Sequence, residues 1–257
     1  MPGPLVTGER VTSPAGAFNP TYQRHVAAYR GIAPLLPDGE VLDLGCGVGH
    51  SFRELDPRPT FGVDVSAEAL AGQERPTEVH DMRALPAAWD GRFASVVAVH
   101  SIEHVTAAER AVEATARVLQ DDGVAVFVTP NRLTFARPDE IVDPYHEVEY
   151  DVEQLRALVA PSFHEVEILG LHGSPRYLEF QAGEKERMDK ILGLDPLGIR
   201  HRVPRVVLRC AYDTALTITR RRTTPLAAAI DVDDFRLGDD DLDASLDLVA
   251  VGRRPRR

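Results

Sequence analysis

Cysteine is nearly absent from this chain of 257 residues: Cys46 and Cys210 are its only two. Cys46 stands between Gly45 and Gly47 in a turn that a disulfide bridge would distort, which argues against a disulfide framework or a cysteine metal site. Long apolar runs are missing as well. No stretch approaches the roughly 20 apolar residues needed to span a bilayer, and MPGPLVTGERVTSPAG lacks the basic-then-apolar order of a secretory leader. The expected location is the cytoplasm, with no membrane partner. Basic charge is in deficit: 29 Lys and Arg face 40 Asp and Glu, for a net charge of −11. Nucleic acid is therefore not an expected partner, because each neutralised phosphate needs a basic group. The runs Arg220 to Arg222 and Arg253 to Arg257 read as solvated ends.

What is present suffices for one substantial core, since 44% of the residues are hydrophobic. Residues 1–20 carry Pro2, Pro4, Pro14 and Pro20 and read as an N-terminal arm, followed by one domain over residues 21–257. Tyr22, Val26 and Tyr29 share a helical face. Short β-rich runs follow at Val41 to Leu44, Thr60 to Val63, Ser95 to Val99 and Val124 to Val128. Between the last two, Ala111, Val112, Ala114, Val118 and Leu119 form a helix-period stripe. Strand and helix in alternation predict a doubly wound α/β fold with a largely parallel sheet. Leu155 to Val159 reads as a further helix, Glu165 to Leu169 as a strand and Leu246 to Val251 as the last strand. The stretch between them, residues 174–245, is too long for an ordinary connection and is expected to be an inserted helical subdomain or lid.

The most informative segment is Val41-Leu42-Asp43-Leu44-Gly45-Cys46-Gly47-Val48-Gly49, where a hydrophobic strand enters alternating glycines. Glycine permits positive φ and lets a ligand approach the backbone. Nicotinamide and flavin folds space these glycines G-x-G-x-x-G to receive a pyrophosphate. Here the third glycine comes one residue early and His50 takes the late position, so the loop suits a nucleoside without a pyrophosphate. Asp64, at the end of the next strand, is placed to accept both ribose hydroxyls.

This segment resembles the first motif of the class I S-adenosylmethionine-dependent methyltransferases. His80-Asp81-Met82 with Leu85-Pro86 resembles the family's adenine-contacting segment, and Phe93 to Glu103 with Leu119 to Gly123 resembles its fourth strand and the glycine turn before its fifth. The resemblance implies S-adenosylmethionine as cofactor and a seven-stranded sheet of order 3-2-1-4-5-7-6, the last strand antiparallel. It implies that Asp81 meets the exocyclic amine and that Met82 lies against the ring. The expected cofactor-binding set is Asp43, Gly45, Cys46, Gly47, Gly49, Asp64, Val65, Asp81, Met82 and His100.

His100-Ser101-Ile102-Glu103-His104 lies at the carboxyl end of the fourth strand, where open α/β sheets bind ligands. It resembles the Glu-His-Val signature of methyltransferases such as the ubiquinone-biosynthesis O-methyltransferases. No metal is expected; the alternative is a site on His100, Glu103 and His104, which would share a face if a helical turn begins there. His104 and His146, the latter in the polar segment Asp143 to Tyr150, are the candidate catalytic residues on the acceptor side. Arg176, Tyr177, Arg202, Arg205 and Arg209 are placed to greet an acidic small molecule. The expected activity is methyl transfer to an oxygen of a small-molecule metabolite. N- or C-methylation and a non-catalytic protein that binds S-adenosylmethionine or S-adenosylhomocysteine are the alternatives.

Overall fold

The computed structural model describes residues 20–135, 140–193, 203–210, 212 and 224–256. Of the expected arm, residues 1–20, the first nineteen lie outside them, and Pro20 already opens the first helix, α1 (Pro20–Ile32). Pro34, in the 3-10 turn that follows, removes a backbone donor and ends the helix there.

Eight strands form one sheet: β1 (Val41–Leu44), β2 (Thr60–Asp64), β3 (Thr77–Val79), β4 (Phe93–Val99), β5 (Leu119–Pro130), β6 (Phe163–Gly173), β7 (Phe235–Gly238) and β8 (Asp247–Pro255). Their spatial order is β3-β2-β1-β4-β5-β8-β6-β7. β1 to β5 are parallel to one another, whereas β8 runs antiparallel between β5 and β6. This is the expected seven-stranded order with one addition, the edge strand β7, which the insertion before the last strand supplies.

Both faces of the central strands are buried, and alternation sorts their side chains. Leu42, Leu44, Val96, Ala98, Ala125 and Phe127 join a core with α2 (Ala108–Val118) and α3 (Val152–Val159). Val41, Val97, Val99, Val124, Val126 and Val128 point the other way, toward Ala28, Tyr29 and Ile32 of α1. Each such aliphatic side chain stabilises the fold by about 1.5–3 kcal/mol on full burial. Asp151 and Gln154 cap α3 reciprocally, which fixes where that helix begins.

Three local departures from the sequence pattern have physical causes. After the glycine loop, where doubly wound folds begin a helix, the chain makes a single 3-10 turn, Phe52–Leu55, because Pro57 and Pro59 forbid its continuation. The described part of the last basic run, Arg253 to Arg256, is exposed at Arg254 and Arg256 but is not a loose tail. Arg253 and Arg254 belong to β8, Arg254 pairs with Glu165, and Arg256 donates to the Phe163 carbonyl, because the last strand fills the gap between β5 and β6. Within residues 174–245 the described portion holds α4 (Pro175–Leu192), helical residues 205–210, the helical turn Pro225–Ala228 and β7; Arg220 to Arg222, Arg202 and His201 lie outside the described residues. Among the described residues no helix is long and apolar enough to cross a membrane.

Candidate functional site

The carboxyl ends of β1 to β5 converge on one edge, and β8, running the opposite way, begins there: Asp247 pairs with Pro130. The strand order reverses at β1, the switch point where such sheets open a crevice. Gly45, Gly47 and Gly49 all adopt positive φ, at 68°, 52° and 67°. A Cβ on Gly45 would stand 2.5 Å from the Ser101 Cβ, which leaves no room for a side chain, whereas one on Gly49 would stand 2.3 Å from the Gln73 Oε1, the end of a flexible side chain that would have to move aside. A Cβ on Gly47 meets nothing within 4 Å. That open space is shared by two cavities, each lined by Gly45, Gly47 and His100.

The larger cavity, of about 280 Å³, adds Asp64, Val65, Asp81, Met82 and His104. The Asp64 carboxylate accepts the Gly47 N–H at 2.9 Å and the Ser66 N–H at 2.8 Å, which ties the glycine loop to the end of β2. Ser66, not Asp64, caps the short helix Ala67–Leu70. Asp81 accepts from Arg83 at 2.6 Å, and this ion pair holds its carboxyl below the usual range. Met82 is buried and Val65 is exposed. Asp43 does not reach the cavity: it is 1% exposed and holds the Tyr29 hydroxyl at 2.9 Å and Arg75 at 2.7 Å. Burial pushes the Cys46 thiol up to about 12, so the thiolate is not formed at neutral pH.

The smaller cavity, of about 50 Å³, is lined by His25, Tyr29, Cys46, His50 and His100. His25 and His100 stack with ring centroids 4.3 Å apart. His100 has φ 50°, a rare conformation for a bulky residue, and its Nε2 lies 3.4 Å from Asp247. Burial pushes the His50 imidazole down to about 4, leaving it neutral. α1 is brought here by Arg24, whose guanidinium forms a buried pair with Asp247 and donates to the Leu246 carbonyl at 2.6 Å.

After β4 the chain makes a 3-10 turn, Ile102–His104, rather than the helix that would align His100 with Glu103 and His104. The Glu103 carboxylate is 1% exposed and its Oε2 has no hydrogen-bond partner. The Glu103 carbonyl accepts N–H groups from Glu147 at 2.8 Å and Val148 at 3.2 Å, so this turn is stitched to the segment carrying His146. His104 Nδ1 lies 3.0 Å from the Tyr145 carbonyl, and His146 Nδ1 lies 3.0 Å from Glu149. The two imidazoles meet edge to face at 5.1 Å. Burial opposes a charge on His146, but Glu149, Glu103 and Asp143 together raise its pKa above the ordinary histidine value.

Residues 21–167 match the methyltransferase domain family, more than half of the chain. The chain belongs to the S-adenosylmethionine-dependent methyltransferases. A probable S-adenosylmethionine-dependent methyltransferase of Mycolicibacterium smegmatis is 30% identical over 97% of this chain and 95% of its own length. A protein of the same description from Mycobacterium tuberculosis H37Rv is 29% identical over 97% of this chain and 89% of its own. Among solved structures, a possible histamine N-methyltransferase from Thermotoga maritima aligns with a TM-score of 0.61 at 13% identity over 91% of each chain. The [4+2]-cyclase SpnF aligns with a TM-score of 0.57 at 18% identity, over 100% of this chain and 90% of that one. At such identities the structural likeness shows the fold alone.

S-adenosylmethionine is thus the cofactor of this methyltransferase. Of the site residues expected from sequence, the structure brings Gly45, Gly47, Asp64, Val65, Asp81, Met82, His100 and His104 around one cavity. Cys46 lines the neighbouring one, Gly49 packs on Gln73, and Asp43 sits beneath the loop. His146 lies behind His104, and neither cavity's lining includes it. The arginines expected to face an acidic ligand are engaged in the fold: Arg176 pairs with Asp234, Arg205 with Glu147, and Arg209 donates to the Pro144 carbonyl. Tyr177 is buried. Sequence reasoning missed His25. Its helix could be read, but nothing local signals that Arg24 draws that helix to Asp247.

Proposed function

We propose that this methyltransferase transfers a methyl group to an oxygen of a small-molecule metabolite in the cytoplasm. When bound, the donor supplies a methyl carbon on a positively charged sulfur, open to in-line displacement. Most of the acceleration then comes from alignment, and the chain's task is to hold and orient. The residues present fit such a donor: the Cβ-free space at Gly47 admits a ligand against the backbone, and Asp64 lies on the same cavity. In this reading Gly45, Gly47 and Gly49 form the cradle, with Cys46 in its wall. Asp64 takes the ribose hydroxyls beside Val65, Asp81 takes the adenine amine, and Met82 backs the ring. Asp43 acts as a positioning residue through Tyr29 and Arg75, and His100 stands where the two cavities join.

The observation that carries the oxygen acceptor is the state of His104. A carbonyl only accepts, so the Tyr145 contact puts the proton on Nδ1 and leaves the Nε2 lone pair free. A hydroxyl or phenol must lose its proton near the transition state, and a positioned imidazole pair answers that need. Within the single domain 21–257, the described part of residues 174–245 forms the acceptor-side cover. That assignment is supported by the way Arg205, Arg209 and Tyr212 grip Glu147, Pro144 and Asp143, the segment that carries His146. The test is turnover with hydroxyl, amine and activated-carbon acceptors, followed by mass spectrometry. O-methylated product is expected. Only N- or C-methylated product, or tight S-adenosylhomocysteine binding with no turnover, would overturn the reading.

A further inference from the structure

We infer that Glu103, His104 and His146 hold one divalent transition-metal ion at the acceptor end of the site. One nitrogen of each imidazole and one carboxylate oxygen of Glu103 lie within 4.8 Å of one another. Three ligand atoms about 2.0–2.2 Å from one ion stand about 3–3.8 Å apart, so inward shifts of under about 1 Å per ligand atom close the set. The donor chemistry fits. Two imidazoles and one carboxylate suit zinc, cobalt, iron(II) or manganese and leave coordination positions open.

Two independent observations point to a cation rather than to a simple hydrogen-bonded cluster. The first is Glu103 Oε2, buried in a residue 1% exposed and with no hydrogen-bond partner. A buried, unpaired carboxylate oxygen is costly unless something positive meets it. The second is the outer shell. Metal-binding histidines usually give their second N–H to a carbonyl or a carboxylate, which fixes the ring and raises its basicity. His104 has the Tyr145 carbonyl at 3.0 Å and His146 has Glu149 at 3.0 Å. The ligand set differs from the one the spacing alone suggests. His100 turns away at φ 50°, its Nδ1 3.7 Å from Glu103 and its ring stacked on His25, while His146 arrives from the segment after β5.

The inference rests on reading this cluster as the acceptor side, and it deepens that reading. With the ion bound, the two imidazoles would be ligands in place of the base, and a hydroxyl held on the metal would give up its proton to solvent water more readily. The experiment is titration of untagged, chelator-stripped protein with Co(II), followed by visible absorption, without donor or acceptor present. Wild type takes up one Co(II) per chain, and Zn(II) displaces it. Glu103→Gln and His146→Gln weaken uptake at least 100-fold, and Glu149→Gln, which touches only the outer shell, weakens it about 10- to 100-fold. His100→Asn leaves the stoichiometry unchanged. Far-ultraviolet circular dichroism and thermal unfolding serve as the folding controls for every variant. Absence of stoichiometric uptake by wild type overturns the site, as does equal uptake by the Glu103 and His146 variants. Because no acceptor is used, a failed oxygen-acceptor reading leaves this result standing on its own.

Discussion

Between β1 and β3 the polar groups of the sheet's carboxyl edge are held by near neighbours in the chain: Asp64 by Gly47 and Ser66, and Asp81 by Arg83. Beyond β4 the partners come from far away. Arg24 crosses the whole chain to Asp247, Glu103 and His104 meet His146, and Arg205 reaches back to Glu147. In the proposed reading the donor half is therefore a set of turns whose geometry short motifs dictate, and the acceptor half is a convergence that exists only once the sheet has closed. Substitutions in the first half should change cofactor affinity with little effect on stability. In the second half they should change stability or rate.

The largest expected effect is on the far side. Arg24→Ala leaves Asp247 buried without its cation and should cost about 3–5 kcal/mol in denaturant unfolding. Loss of under 1 kcal/mol would mean that α1 is not latched there. The same pair sets an acid limit. Burial would raise the Asp247 carboxyl, but Arg24 and His100 outweigh it and hold it at about 2, below its unfolded value of about 3.9. A depressed carboxylate contributes its stability above the unfolded pKa and loses it as pH falls toward the folded one. Unfolding free energy should thus decline from about pH 4 to pH 2, and less steeply in Arg24→Ala.

On the near side, Gly47→Val should lower S-adenosylhomocysteine affinity more than 100-fold with the fold retained, because a β-branched residue is strained at φ 52° and fills the open space. Near-native affinity in calorimetry would remove the cradle. Asp64→Ala should weaken binding by about 1–3 kcal/mol, the range for charge-assisted hydrogen bonds. Smallest of all, Arg205→Ala breaks an exposed pair and should cost about 0–1 kcal/mol of stability.

The same division explains what could be read in advance. The glycine loop, Asp64 and the His80 to Met82 segment follow from residue spacing, because strand ends and tight turns are local geometry. The sheet order could be inferred by likeness, but β7 could not: Phe235 to Gly238 is a four-residue edge strand whose partner, β6, lies some sixty residues earlier in the chain. The pairing of His146 with Glu103 was hidden for a similar reason. Spacing alone favours His100, and only the 3-10 turn at Ile102–His104, stitched to Glu147 and Val148, selects His146 instead. Asp43, read from its motif as a cofactor ligand, is drawn below the loop by Tyr29 and Arg75, two residues outside that motif.

The division of the edge into a donor half and an acceptor half is tested most directly by calorimetric titration of S-adenosylhomocysteine into wild type, Asp64→Ala and His146→Gln under one set of conditions. A group needed only at the transition state contributes little to ground-state binding. The account predicts at least a fivefold loss of affinity for Asp64→Ala and an affinity within twofold of wild type for His146→Gln. Equal losses in both variants, or a loss confined to His146→Gln, would contradict it.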